Sequence, residues 1–143
     1  LCPETMGKVG QLGTLDEVLA LCKVDKRITP CIDFGHLYAR SLGVDDGQEA
    51  FCRMLDRVEE TLGRERASRF HSHFSHIQFT LNGGEKCHRT FDDDDGYGPQ
   101  WAPLAMEVAR RGWSPTFICE SAGTQAEDAV EMQRIYRACA GIT

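Results

Sequence analysis

Residues 69–97, RFHSHFSHIQFTLNGGEKCHRTFDDDDGY, hold four of the five histidines of the chain, a Gly-Gly pair and a run of four aspartates. The stretch opens as a strand, Arg69 to Phe74, and then reads as a long polar loop where a compact domain usually places a short turn. Long structured loops of this kind are commonly functional, so the remainder of the chain is read as the scaffold that presents it.

Working outward, helices and strands alternate. Thr14 and Glu17 have capping-box spacing, and Leu15, Val18, Leu19 and Cys22 recur at helical spacing behind them, which predicts a helix from about Leu15 to Lys23. Ile28 to Asp33 is too short for a helix and ends on a carboxylate, and Pro30 makes it an irregular strand. Asp46 and Glu49 repeat the capping pattern ahead of an apolar stripe, Phe51, Met54, Leu55, Val58 and Leu62, that Gly63 stops. After the histidine-rich stretch, Pro103 suits a first helical turn, with Trp101, Leu104, Ala105 and Val108 on one face and Gly112 at the end. Thr116 to Glu120 is a last strand, again ending on a carboxylate. A third capping box, Thr124 and Glu127, then precedes a helix whose Met132, Ile135, Tyr136 and Cys139 share a side. Leu1 to Glu4 resembles the end of a further strand. The alternation predicts an α/β fold of parallel strands covered by helices.

Composition narrows the function classes. The 143 residues are 41% hydrophobic and 27% charged, without an apolar run long enough for a membrane span, and suit one soluble, cytoplasmic domain over residues 1–143. A formal net charge of -6 argues against holding nucleic acid by bulk electrostatics, so a nucleic-acid substrate would need metal ions or a local basic patch such as Lys86, Arg89, Arg110 and Arg111. The seven cysteines form no C-x-x-C pair and lie in apolar patterns, as reduced core cysteines do.

Glu4, Asp33, His71 and Glu120 fall at or near the ends of four successive strands. Parallel strands bring their C-terminal ends to one rim, the rim that carries the site in barrels and open α/β sheets. Three carboxylates and an imidazole gathered there would repel or desolvate unfavourably unless a divalent cation neutralised them. Each group could instead be satisfied alone, Asp33 and Glu120 as helix caps and His71 in the core. His36 and His88 are further candidates for the same rim, and mixed histidine and carboxylate ligands suit zinc or manganese. His73 reads equally as a second ligand or as an inward hydrogen-bonding group. His76 is not assigned, and Asp92 to Asp95 read as a solvated loop.

Cys31-Ile32-Asp33-Phe34-Gly35-His36 resembles the C-I-D-x-x-H segment of the endonuclease IV family, zinc-dependent apurinic/apyrimidinic endonucleases on the xylose isomerase-like TIM barrel. Glu4, His71, His88 and the Cys119-Glu120-Ser121 segment, similar to the family's L-E-T, follow in family order over the whole chain, matching the C-terminal half of the family's barrel. The resemblance implies that Glu4 bridges two metals, that Asp33, His71 and Glu120 complete one of those sites, and that His36 and His88 serve a third ion. Two segments differ: the family's D-R-H reads Glu85-Lys86-Cys87-His88, and its H-L-N-D reads His71-Ser72-His73-Phe74.

The expected architecture is four β/α units forming the C-terminal half of a TIM (β/α)8 barrel, in which eight units typically take about 250 residues. The expected activity is metal-dependent hydrolysis of damaged DNA with Glu120 or Glu4 moving a proton and up to three zinc or manganese ions in the complete barrel. A sugar isomerase or epimerase and a metal-binding, non-catalytic truncated barrel are the other readings. The chain reads as a fragment that exposes inward side chains such as Cys31, Phe70 and Phe117, to be closed by a missing N-terminal half or by self-association.

Overall fold

A computed structural model describes residues 1–142. Three short parallel strands, β1 (Cys31–Asp33), β2 (His71–Phe74) and β5 (Thr116–Cys119), lie side by side in the order β1-β2-β5. A parallel bridge between Glu4 and Cys31 adds a fourth strand position beside β1. These positions follow one another in sequence order, and helices separate them: α1 (Leu15–Val24), then α2 (Phe34–Arg40), α3 (Gly47–Leu62) and the short α4 (Arg64–Ala67), then α5 (Trp101–Arg111), with α6 (Gln125–Ala140) after β5. Sequential parallel strands with helices between them are consecutive units of a β/α barrel.

The helices form for the reasons their sequences give. Thr14 Oγ1 accepts from the Glu17 amide at 3.2 Å while Glu17 Oε2 accepts from the Thr14 amide at 2.8 Å, which closes the capping box of α1. Asp46 caps α3, whose Phe51, Met54, Leu55, Val58 and Leu62 are buried against the core. The third expected capping box does not form: Thr124 Oγ1 donates instead to Asp128 Oδ2 at 2.9 Å, and the same carboxylate oxygen accepts from the Phe91 amide at 3.1 Å, tying α6 to the histidine-rich stretch.

Two elements differ from the sequence expectation. Beyond Phe74 the chain is not a loop but forms an antiparallel hairpin, β3 (His76–Thr80) with β4 (Gly84–Arg89). The alternation of His76, Ile77, Gln78, Phe79 and Thr80 supports it, and Asn82-Gly83-Gly84 supplies its turn. Helix α2 begins directly on Asp33, the last residue of β1, whose Oδ1 accepts from the His36 amide at 2.8 Å. Gly35 is required there, because a Cβ would lie 2.7 Å from the Ser75 carbonyl oxygen.

Strand parity also assigns the two faces of the sheet. Phe70, Ser72 and Phe74 point to the helices, where Phe70 packs on Phe117 and Trp113, and Phe74 packs on Trp101 with ring centroids 5.0 Å apart. Phe70 and Phe117 are therefore core residues of the helix layer, not inward ones as expected. The inward face carries Cys31, His71 and Thr116 in one register row and Asp33, His73 and Ile118 in the next. That face is polar and ligand-bearing apart from Ile118, which is 46% exposed.

A buried ion pair fixes α5 to α3. Glu107 is 1% exposed and accepts from Arg110 Nε at 3.0 Å and Arg111 Nε at 2.7 Å, and Arg111 Nη2 reaches Asp56 Oδ1 on α3 at 2.6 Å. The Arg110 guanidinium, with Arg111 beside it, holds the Glu107 carboxyl down at about 2, below its ordinary 4.5. Glu107→Ala removes the buried acceptor of both arginines, of which Arg111 keeps Asp56 and Arg110 is largely exposed, so it is expected to cost about 2 kcal/mol in urea unfolding at neutral pH. A depressed folded-state pKa stabilises above the unfolded value, so the gap between wild type and variant should be full above pH 4.5 and close as pH falls toward 2. A gap unchanged at pH 3 would contradict this.

Candidate metal centre

The C-terminal ends of the parallel strand positions bring Glu4, Asp33, His73 and Glu120 together, with one potential ligand atom from each lying within 4.8 Å of the others. His73 Nδ1 is 2.9 Å from Glu4 Oε1, 3.4 Å from Glu120 Oε1 and 4.0 Å from Asp33 Oδ2. The imidazole of this group is thus His73 and not the expected His71. The register decides the matter, because Asp33 stands opposite His73, whereas His71 stands opposite Cys31 one layer deeper. Glu4, Asp33 and Glu120 are gathered as the sequence suggested.

Asp33 is the most constrained member. Its backbone amide donates to Thr5 Oγ1 at 2.9 Å, its Oδ1 caps α2, and its side chain is 1% exposed. Its second oxygen, Oδ2, is buried and receives no hydrogen bond. Burial pushes the carboxyl pKa upward, His36 opposes that shift, and Glu4 and Glu120 add to it. A buried carboxylate oxygen without a donor, beside two more carboxylates, is an acceptor set that lacks a cation, and a divalent ion fits it.

A second group, His36, Glu85 and His88, adjoins the first. His36 Nδ1 lies 2.8 Å from the Thr5 carbonyl oxygen, which can only accept, so this nitrogen carries the proton and Nε2 is presented outward. His36 Nε2 is 3.5 Å from Glu85 Oε2. Ser75 Oγ lies 2.7 Å from His88 Nδ1 and orients that ring in the same manner. Oxygen partners on one nitrogen that leave the other free are the usual support of metal-binding histidines. Burial pulls the His36 pKa down, but Asp33, the Thr5 carbonyl, Glu85 and Glu4 outweigh it and the net shift is upward. His36 Nδ1 is also 3.3 Å from Asp33 Oδ2, so one imidazole separates the two groups.

Glu85 and His88 are three residues apart on β4 and would face opposite ways in a regular strand. A β-bulge brings them to one side: Gln78 pairs with Cys87 and Phe79 with Glu85, leaving Lys86 as the extra residue. The loop after Glu4 holds this strand in place through the Glu85 amide, which donates to the Gly7 carbonyl at 3.0 Å. Gly7 permits the approach, since a Cβ would sit 2.6 Å from Glu85 Cβ.

Two neighbouring groups of histidine and carboxylate at the rim of parallel β/α units agree with the outcome of comparison with known proteins. The sequence profile described as "Xylose isomerase-like TIM barrel" matches residues 1–139. The chain belongs to this family. It is also 38% identical over 136 residues to an uncharacterized protein of Methanocaldococcus jannaschii, an alignment that covers 95% of this chain and 48% of that protein. The chain therefore spans about half the length of the curated relative it matches.

Other charged residues of this xylose isomerase-like chain have separate duties. Asp93 accepts from the Thr90 amide and Asp95 from Arg89 Nε, so the aspartate run organises its own loop. His76 stacks on Phe91 at 4.8 Å, and its burial lowers its pKa. Arg110 and Arg111 are engaged by Glu107, and Arg89 by Asp95 and Asp93, so of the basic lip expected from sequence Lys86 alone is exposed without a salt bridge among the described residues.

Asp33→Asn separates the two consequences of this geometry. It removes a disfavoured buried charge, so chelator-treated protein should melt at a higher temperature than wild type, and the rise that added Zn2+ or Mn2+ gives wild type should be lost. Binding at 100 times Kd stabilises by about 2.7 kcal/mol, a shift that thermal melting resolves. A wild-type midpoint indifferent to both chelator and added metal would remove the metal assignment.

Proposed function

We propose that this chain forms part of a zinc-dependent phosphodiester hydrolase of the endonuclease IV type that acts on abasic or otherwise damaged DNA. The observation that carries this reading is the second group, His36, Glu85 and His88, one imidazole away from the first. Phosphodiester hydrolysis commonly uses adjacent ions that share the attacking and leaving oxygens, whereas polarising a sugar carbonyl requires only one such group. Glu4, Asp33, His73 and Glu120 would hold one ion and His36, Glu85 and His88 another, with the histidine-rich composition suiting zinc. Bound there, such ions supply Lewis acidity toward a phosphate and a water of lowered pKa.

The residues divide the remaining work. Glu120 and Glu4 have side chains 35% and 32% exposed, in contrast to Asp33, and are the carboxylates that open to a substrate and move a proton. His73, between them, fixes the orientation of both. Thr5 and Ser75 set the ring orientations of His36 and His88. Lys86, exposed on the bulge beside Glu85, would be the cation that meets a phosphate.

A metal-dependent sugar isomerase or epimerase is the second reading. The net charge of -6 and the engagement of Arg89, Arg110 and Arg111 by carboxylates favour it, because a small neutral substrate needs no basic surface.

Glu85→Ala distinguishes the two in a complete protein that contains this chain. Nicking of a duplex with one abasic site should require added zinc or manganese and fall steeply in the variant. Turnover of a keto sugar that survives Glu85→Ala, without cleavage of abasic DNA by wild type, would establish the isomerase reading instead.

A further inference from the structure

Beneath the carboxylate group the inward face carries a third cluster, of which the proposed readings use His73 alone. Cys31 and His71 stand opposite one another in the β1–β2 register, and His73 follows two residues later on the same face. Side chains at matched positions of neighbouring parallel strands project together, and one potential ligand atom from each of these three residues lies within 4.8 Å of the others. The rings of His71 and His73 meet edge to face with centroids 5.3 Å apart. Cys31 is 3% exposed, and the neighbouring Cys2 thiol interacts with it from the adjoining strand position. All of these cysteines are free thiols.

We propose that Cys31, His71 and His73 form a separate thiolate-bearing metal position in the barrel interior, selective for soft divalent cations such as Zn2+ or Cd2+. Cysteine sulfur with imidazole nitrogen is a zinc and cadmium donor set, unlike the oxygen-rich group above it. On binding, the Cys31 S–H bond is replaced by a bond from sulfur to the metal and one proton is released to solvent. His73 offers two ring nitrogens, and its Nδ1 is directed at Glu4 and Glu120. It is therefore the residue through which occupancy of the lower position would affect the upper one.

Co2+ titration of the whole chain under reducing conditions reads the thiolate directly and is independent of any activity. A thiolate-to-cobalt charge-transfer band should appear in the near ultraviolet, vanish in Cys31→Ser, weaken in His71→Ala, and persist in Glu85→Ala. The same loss is expected for the thiolate–cadmium absorption with Cd2+. Circular dichroism of each variant confirms its fold, and Cys52→Ser, on α3 beside Asp56, serves as the control for a thiol outside the cluster. Cobalt binding without a charge-transfer band, or a band that remains in folded Cys31→Ser, would overturn the proposal. Neither result would bear on the hydrolase reading, which is carried by the His36, Glu85 and His88 group.

Discussion

The Asp33 carboxylate lies out of reach of solvent with one oxygen that no donor satisfies. A bare charge in that place is costly, and a protonated carboxyl there would still lack a partner. Much of the surrounding structure holds it in position. Thr5 fastens its backbone from the neighbouring strand position, its other oxygen starts α2, and the absence of a side chain at Gly35 lets that helix approach the Ser75 carbonyl closely. A side chain fixed by backbone contacts on both sides cannot turn away to find water. A cation arriving at Oδ2 relieves the constraint.

From this point the rim follows. Glu4 and Glu120 converge on Asp33 because parallel strands end together, and His73 converges because its register partner is Asp33. His36 arrives through the first turn of α2 and links the carboxylate group to the hairpin that delivers Glu85 and His88. The hairpin in turn is held by the loop after Glu4, which Arg40 secures by donating to the carbonyls of Lys8 and Val9. Strand ends, helix start and hairpin thus act as one support for two adjacent groups, the preorganisation that a metal site requires.

The α/β alternation and the carboxylates that end the strands were legible in the sequence, since capping boxes, apolar stripes and short apolar runs each report local structure. The family was legible in Cys31 to His36 for a related reason: a strand-ending aspartate that also caps a helix fixes the spacing to His36. The choice between His71 and His73 was not legible. Parity places both on the inner face, and only the pairing with β1 tells which one reaches the rim. Glu85 was obscured because the stretch read as a loop and its spacing to His88 departs from D-R-H; the pairing of β4 with β3, with its bulge at Lys86, brings the two to one side. Arg111 looked available because one of its partners, Asp56, is met only when α5 packs on α3. In each case the missing information was a contact between segments distant in the chain.

Anomalous diffraction from crystals grown with zinc, collected on either side of the zinc edge, would examine Asp33 Oδ2 directly. The expected result is a strong anomalous peak about 2.0–2.2 Å from that oxygen, shared with His73 and at least one of Glu4 and Glu120. Density for water alone at Oδ2 in zinc-soaked crystals, or a rotated Asp33 carboxylate hydrogen-bonded to protein donors, would contradict the reading of this rim as a metal centre.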